Sequence, residues 1–221
     1  PTAPPLASGE VWGADPAGTL ASVGDSAGGN LTLATLLRPR GGQAASPDPA
    51  PRMPACAVSI SPGADAVGDA PSRQANAASD AMLTPRMIEM ATNLYLAGHD
   101  PRDPYVSPIY GDFRGLPPLM LTVSESEALR DDAYRVAHRA RQAGVAVTLR
   151  ARWNMPHVWP VFHSMLPEAR QDVTEIVGFM RRHLSAPVAC TRAVARTKLR
   201  LAHSGSAACQ KTEGGHTTTI A

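Results

Sequence analysis

The feature that most constrains this chain is the run Gly24-Asp25-Ser26-Ala27-Gly28-Gly29. Ahead of it, Thr19 to Val23 (TLASV) reads as a short buried strand. Behind it, Ala27 to Arg38 (AGGNLTLATLLR) carries Leu31, Ala34, Leu36 and Leu37, an apolar set suited to a helix packed on a sheet. A strand that turns into a helix this sharply needs glycine, because a Cβ in so tight a turn collides with nearby backbone. The turn lifts Ser26 to the strand end. It also sets the amide of Ala27 at a helix N-terminus, where it can face a developing oxyanion. Gly24-x-Ser26-x-Gly28 in this context predicts a nucleophilic serine. Taken alone, it reads equally as a glycine-rich turn without chemistry. A phosphate-binding loop is disfavoured, since no lysine follows the glycines.

The rest of the chain alternates strand and helix. Pro1 to Ala17 and residues 39–54 read as loops rich in Pro, Gly and Ala. Ala55 to Ser61 (ACAVSIS) is a second buried strand, ended by Pro62-Gly63, and residues 64–79 form a small, polar excursion. Thr84 is predicted to cap a helix that starts at Pro85, with Met87, Ile88, Ala91, Leu94 and Tyr95 as its apolar stripe. Residues 99–118, with five prolines, connect it to a third strand at Leu119–Val123. A helix over Ala128–Gln142 stops at Gly144, a fourth strand covers Val145–Arg150, and Pro167–Leu184 closes as an amphipathic helix with Val173, Ile176, Val177, Phe179 and Met180 available for burial. This alternation predicts an α/β fold with a mostly parallel sheet and helices on both faces.

At 221 residues the chain can bury one sizeable core. Residues 1–184 are assigned to that domain. Residues 185–221 are rich in Thr, Ser and small side chains, hold both lysines (Lys198 and Lys211), and are expected to be a low-order tail. A net charge of +2 argues against nucleic-acid or membrane-surface partners. No apolar run approaches the roughly 20 residues that span a bilayer, so no stable membrane insertion is expected. No signal peptide is visible. Cys56, Cys190 and Cys209 are odd in number and lack metal-ligand spacing. They predict no disulfide framework, no metal, and a reducing, cytoplasmic location.

A serine nucleophile needs a base, and the base needs an orienting carboxylate. In a fold of this kind the chain order is serine, acid, histidine, with the last two on loops after late strands. Of seven histidines, His157 in Trp153-Asn154-Met155-Pro156-His157 is the best placed, between the fourth strand and the closing helix. His163 falls in predicted helical structure, His183 near a helix C-terminus, and His203 and His216 in the tail. After the third strand the loop SESEAL offers Glu125 and Glu127, which spacing does not separate. Asp131 and Asp132 come a turn later, where carboxylates commonly favour a helix N-terminus.

The segments GDSAGGN, DPYVSPIYGDFRGLPP, SESEALRDDA and GVAVTLRARWNMPHVWPVF together resemble the hormone-sensitive-lipase-type esterases, the α/β-hydrolase fold-3 family, over roughly residues 8–184. The resemblance implies a serine carboxylesterase acting on short-to-medium acyl esters, or lactones, through an acyl-enzyme on Ser26. It assigns the carboxylate to Glu127, where many members have Asp, and the base to His157, 30 residues further on. Ala27 and Gly28 would supply oxyanion amides. Met82, Met87, Trp153, Trp159 and Phe162 are apolar candidates for the acyl pocket, each also suited to plain core packing. A small-molecule ester is the implied partner, a homodimer is one assembly seen among relatives, and no cofactor or metal is implied. Members carry an HGGG-type motif upstream of the serine that completes the oxyanion hole. This sequence contains none, and 25 residues precede Ser26. The chain is therefore expected to hold the C-terminal portion of the fold, with Thr19–Val23 left as an apolar edge. A non-catalytic or weakly active hydrolase-fold binder of small ligands is the alternative.

Overall fold

Four strands and five helices are laid out in alternation in the computed structural model, which describes residues 20–37 and 53–184. Strands β1 (Ala21–Asp25), β2 (Cys56–Ile60), β3 (Leu119–Ser124) and β4 (Val147–Arg152) form one sheet in the order β1-β2-β3-β4. Every pairing is parallel. The register sets Asp25 beside Ile60, Ile60 beside Thr122, and Ser124 beside Arg152. The C-terminal ends of all four strands thus lie along one edge of the sheet, where open α/β folds place their ligands.

Period-two alternation divides the buried side chains between two cores. On one face Ala57, Leu119 and Leu121 pack with Leu33, Leu36 and Leu37 of α1 (Ala27–Leu37) and with Val136, Ala137 and Ala140 of α4 (Arg130–Gln142). On the other, Val58, Ile60 and Met120 pack with Ile176 and Phe179 of α5 (Pro167–Leu184). The sheet is covered by helices on both faces, and β2 and β3 are buried throughout.

Several expectations need adjustment. The excursion over 64–79 contains a short helix, α2 (Ser72–Ala75). Helix α4 starts at Arg130 because Glu127–Leu129 forms a separate turn, with the Arg130 amide donating to the Glu127 carbonyl at 3.2 Å. Strand β4 starts at Val147, because Gly144 (φ +81°) and Val145 still complete the end of α4, the Val145 amide reaching the Ala140 carbonyl at 2.9 Å. Leu31 of α1 is exposed. Strand β1 has no fully buried residue and pairs only with β2 among the described residues, leaving Val23 exposed. The expected tail over 185–221 and most of the two expected loops lie outside the described residues.

Helix α3 (Pro85–Leu96) forms where the Thr84-Pro85 signal places it. The Thr84 hydroxyl accepts the Met87 amide at 3.2 Å, and Ala97 ends the helix in the left-handed region at φ +46°. Its apolar stripe, however, is not core: no α3 residue is buried. A cap of this kind contributes about 1 kcal/mol. Thr84→Ala is expected to speed amide hydrogen exchange over residues 85–96 by roughly fivefold, leaving β2 and β3 unchanged. Uniformly faster exchange throughout the sheet would contradict this local role.

Candidate active site

The left-handed conformation at the turn after β1 falls on Ser26 itself, at φ +53°. Such a backbone costs a non-glycine residue on the order of 1–2 kcal/mol and persists only where surrounding bonds impose it. Here the Ser26 amide donates to the Ile60 carbonyl at 2.8 Å, and the Ser26 carbonyl accepts the Asn30 amide at 3.1 Å, starting α1. The flanking glycines are needed for close approach. A Cβ on Gly24 would lie 2.1 Å from the Gly28 carbonyl oxygen, and one on Gly29 would lie 2.8 Å from Ser59 Oγ. The amides of Ala27 and Gly28 belong to the first turn of α1, which has no carbonyl of its own helix to bond.

His157 follows β4 and Glu127 follows β3, and the parallel register brings both to Ser26. His157 Nε2 lies 2.8 Å from Ser26 Oγ, and its Nδ1 lies 3.0 Å from Glu127 Oε2. His157 is 4% exposed and Glu127 1%. Burial pushes the Glu127 carboxyl above its ordinary range, and hydrogen bonds from His157, Ser61 and the Ser124 amide offset part of that rise. The geometry separates the two glutamates that spacing left open: Glu125 accepts the Tyr134 hydroxyl instead. His163 is exposed beside the 3-10 turn Trp159–Phe162, and His183 meets the Phe179 ring edge-on at 4.7 Å.

The turn that carries Glu127 is fastened by the segment read from sequence as an excursion. Asn76 Nδ2 donates to the carbonyls of Glu125 and Glu127 at 2.9 and 2.8 Å. The Ser79 hydroxyl donates to the Ser126 carbonyl, the Ser72 hydroxyl donates to the Ala128 carbonyl, and Asp80 accepts the Ala128 amide. Small polar residues in 72–80 were the only sequence sign of this role. Asp132 likewise does more than favour its own helix. It is wholly buried, accepts the amides of Ala64 and Asp65, and pairs with Arg73 at 2.9 Å. Burial raises its carboxyl to about 6 despite the Arg73 guanidinium.

A cavity of about 300 Å³ adjoins Ser26 and Ala27. Leu83, Met87, Ile88, Ala91 and Tyr95 form its apolar wall, while Asn30, Asp65 and Arg73 border it as polar groups. Met87 is thus the one pocket candidate from the sequence that lines this cavity. Met82 and Trp153 are exposed elsewhere, and Phe162 is half-buried in the 3-10 turn. Trp159 takes the core-packing alternative: it is completely buried, and its indole N–H donates to Asp172 at 2.8 Å. The wall from α3 was legible only as a helical stripe.

A protein-family model described as alpha/beta hydrolase fold matches residues 6–161. An acetyl-hydrolase of Streptomyces hygroscopicus is 38% identical over 166 residues, covering 75% of this chain and 53% of that protein. An esterase of Acinetobacter venetianus is 34% identical over 157 residues, covering 71% and 50% respectively. Among solved structures, EstE5 soaked with ethyl alcohol aligns with a TM-score of 0.69 at 40% identity, covering 76% of this chain and 54% of that one. A hormone-sensitive lipase from a metagenome library aligns with a TM-score of 0.68 at 34% identity, covering 74% and 54%. The chain spans about half the length of the curated relatives it matches. No helix among the described residues is long and apolar enough to cross a membrane.

Proposed function

The chain belongs to the alpha/beta hydrolase fold family, and from that premise we propose that it is a serine carboxylesterase acting on short-to-medium acyl esters or lactones. The observation that carries this reading is the unbroken relay from Ser26 Oγ through His157 to Glu127, at 2.8 and 3.0 Å. Ser26 Oγ attacks the acyl carbon while His157 Nε2 takes its proton. Glu127 holds the Nδ1–H tautomer and stabilises the imidazolium. The first-turn amides of Ala27 and Gly28 face the developing oxyanion at the positive end of α1. His157 returns the proton to the departing alcohol, leaving an ester on Ser26. Water, deprotonated by His157, then releases the acid. The cavity wall of Met87, Ile88, Ala91 and Tyr95 suits an alkyl chain. The acetyl-hydrolase relative supports the short end of the acyl range.

A fluorophosphonate probe tests the proposal. Wild-type protein is expected to be labelled at Ser26, with Ser26→Ala unlabelled and equally folded by circular dichroism. Folded wild-type protein that the probe leaves untouched would overturn the esterase reading and favour a non-catalytic binder of small ligands.

A further inference from the structure

Ser61 lies just past the end of β2, and nothing in the sequence pattern singles it out. It is completely buried, yet it adopts φ +47°. Its amide continues the sheet ladder to the Thr122 carbonyl at 2.8 Å, and Pro62 follows, so the chain turns sharply at this residue. Its hydroxyl faces the Glu127 carboxylate closely enough to favour the ionised form. The same oxygen accepts the backbone amide of Val158 at 3.3 Å. Val158 is the residue after His157, and it too is left-handed, at φ +53°. For a β-branched residue that backbone is a genuine outlier. Two strained residues are therefore joined by one hydrogen bond, and the hydroxyl at their junction reaches the carboxylate that orients the histidine. Strain of this kind is retained where the geometry it produces is used.

We propose that Ser61 is a positioning residue that clamps the Glu127–His157 pair, fixing the carboxylate with its hydroxyl proton and the backbone beside His157 with its lone pair. The proposal deepens the esterase reading and rests on it for its kinetic consequence. The groups facing the Glu127 carboxylate are His157 from the loop after β4, the Ser124 amide from β3, and Ser61 from the turn after β2. Asp80 and Asp131 occupy the next ring of contacts, through the Ala128 and Ser72 amides. A donor to an ionised carboxylate favours its charged form. Without the Ser61 hydroxyl, the Glu127 carboxyl takes up its proton at higher pH. A purely structural role would lower the amount of folded protein without moving that titration.

Ser61→Gly separates the two roles, because glycine relaxes the left-handed backbone while removing the hydroxyl. Ser61→Ala removes the hydroxyl and keeps the strain. The midpoint of the Glu127 carboxyl titration, followed by carbon NMR, is expected to rise by about one pH unit in both variants. The acid limb of kcat/KM for p-nitrophenyl butyrate is expected to rise with it, with KM little changed. Titration midpoints within a few tenths of a unit of wild type in both variants would overturn the proposal. The NMR midpoint does not require turnover. A wild-type protein inactive toward the ester therefore counts against the esterase reading while still deciding the role of Ser61.

Discussion

His157→Ala is expected to slow acylation of Ser26 by on the order of 10⁴–10⁶-fold, as triad members act as a unit. The reason is geometric. A serine hydroxyl is a weak nucleophile at neutral pH, and in the proposed mechanism its proton goes to His157 Nε2, 2.8 Å from its oxygen. Glu127→Gln is a sharper probe of the same relay. A glutamine side-chain amide presents N–H to Nδ1, which favours the tautomer with its proton on Nε2. That nitrogen then cannot accept from Ser26, and a loss on the order of 10⁴-fold is expected while the side-chain volume stays the same. The rate of fluorophosphonate labelling measures acylation directly. Rates within tenfold of wild type for either variant, with the fold intact by circular dichroism, would remove His157 and Glu127 from the mechanism. Burial raises the Glu127 carboxyl, with His157 and Ser61 partly offsetting it. Wild-type labelling is accordingly expected to decline toward acidic pH, since both the ionised carboxylate and the neutral imidazole are required.

What could be read from sequence was whatever depends on local order along the chain. The serine turn needs only a strand, glycines and a helix in succession, all contiguous between Ala21 and Leu37. His157 and the loop that holds Glu125 and Glu127 could be located because parallel strands deliver the residues that follow them to one edge of the sheet, and the family resemblance alone chose Glu127. What could not be read depends on contacts between segments with no spacing rule. Asn76 holds the Glu127 turn from 51 residues away. Ser61 is an ordinary strand-end serine until its φ and its two partners are known. The α3 stripe illustrates a different limit: periodicity identifies the face that avoids water, but it does not say whether a core or a cavity receives it. Trp159 was left open between pocket and core for a related reason. A large apolar ring fits a pocket or a core equally, and its indole N–H decided the matter by finding Asp172.

Asp172 carries the second large expected effect, on stability. It is completely buried and accepts the indole N–H of Trp159 at 2.8 Å together with both Arg150 Nε and Arg152 Nε. Burial by itself would raise its carboxyl, but the hydrogen bonds from Arg152, Arg150 and Trp159 outweigh that and hold it below the ordinary value. Asp172→Ala leaves a buried indole N–H unpaired and two neighbouring guanidinium groups without their counter-charge. The guanidinium groups remain partly in water, which limits their share, so a loss of about 3 kcal/mol is expected. Asp172→Asn should lose nearly as much, because an amide turns a donor toward one of the arginines. The sign of the pH dependence follows from the depressed carboxyl. Its contribution is fully present above the unfolded-state value near 3.9 and disappears as pH falls through the lower folded-state value. Asp132 runs the opposite way. Its raised carboxyl, about 6, favours the folded protein below the unfolded-state value and loses that contribution as pH rises through 6. Urea unfolding of wild type alone would mix the two. The difference between wild type and Asp172→Asn cancels Asp132, and it should be constant from pH 5 to 7 and shrink below about pH 4. A difference that stays constant down to pH 2, or one under about 1 kcal/mol at pH 7, would mean that this carboxylate does not hold β4, α5 and Trp159 together in the way its bonds imply.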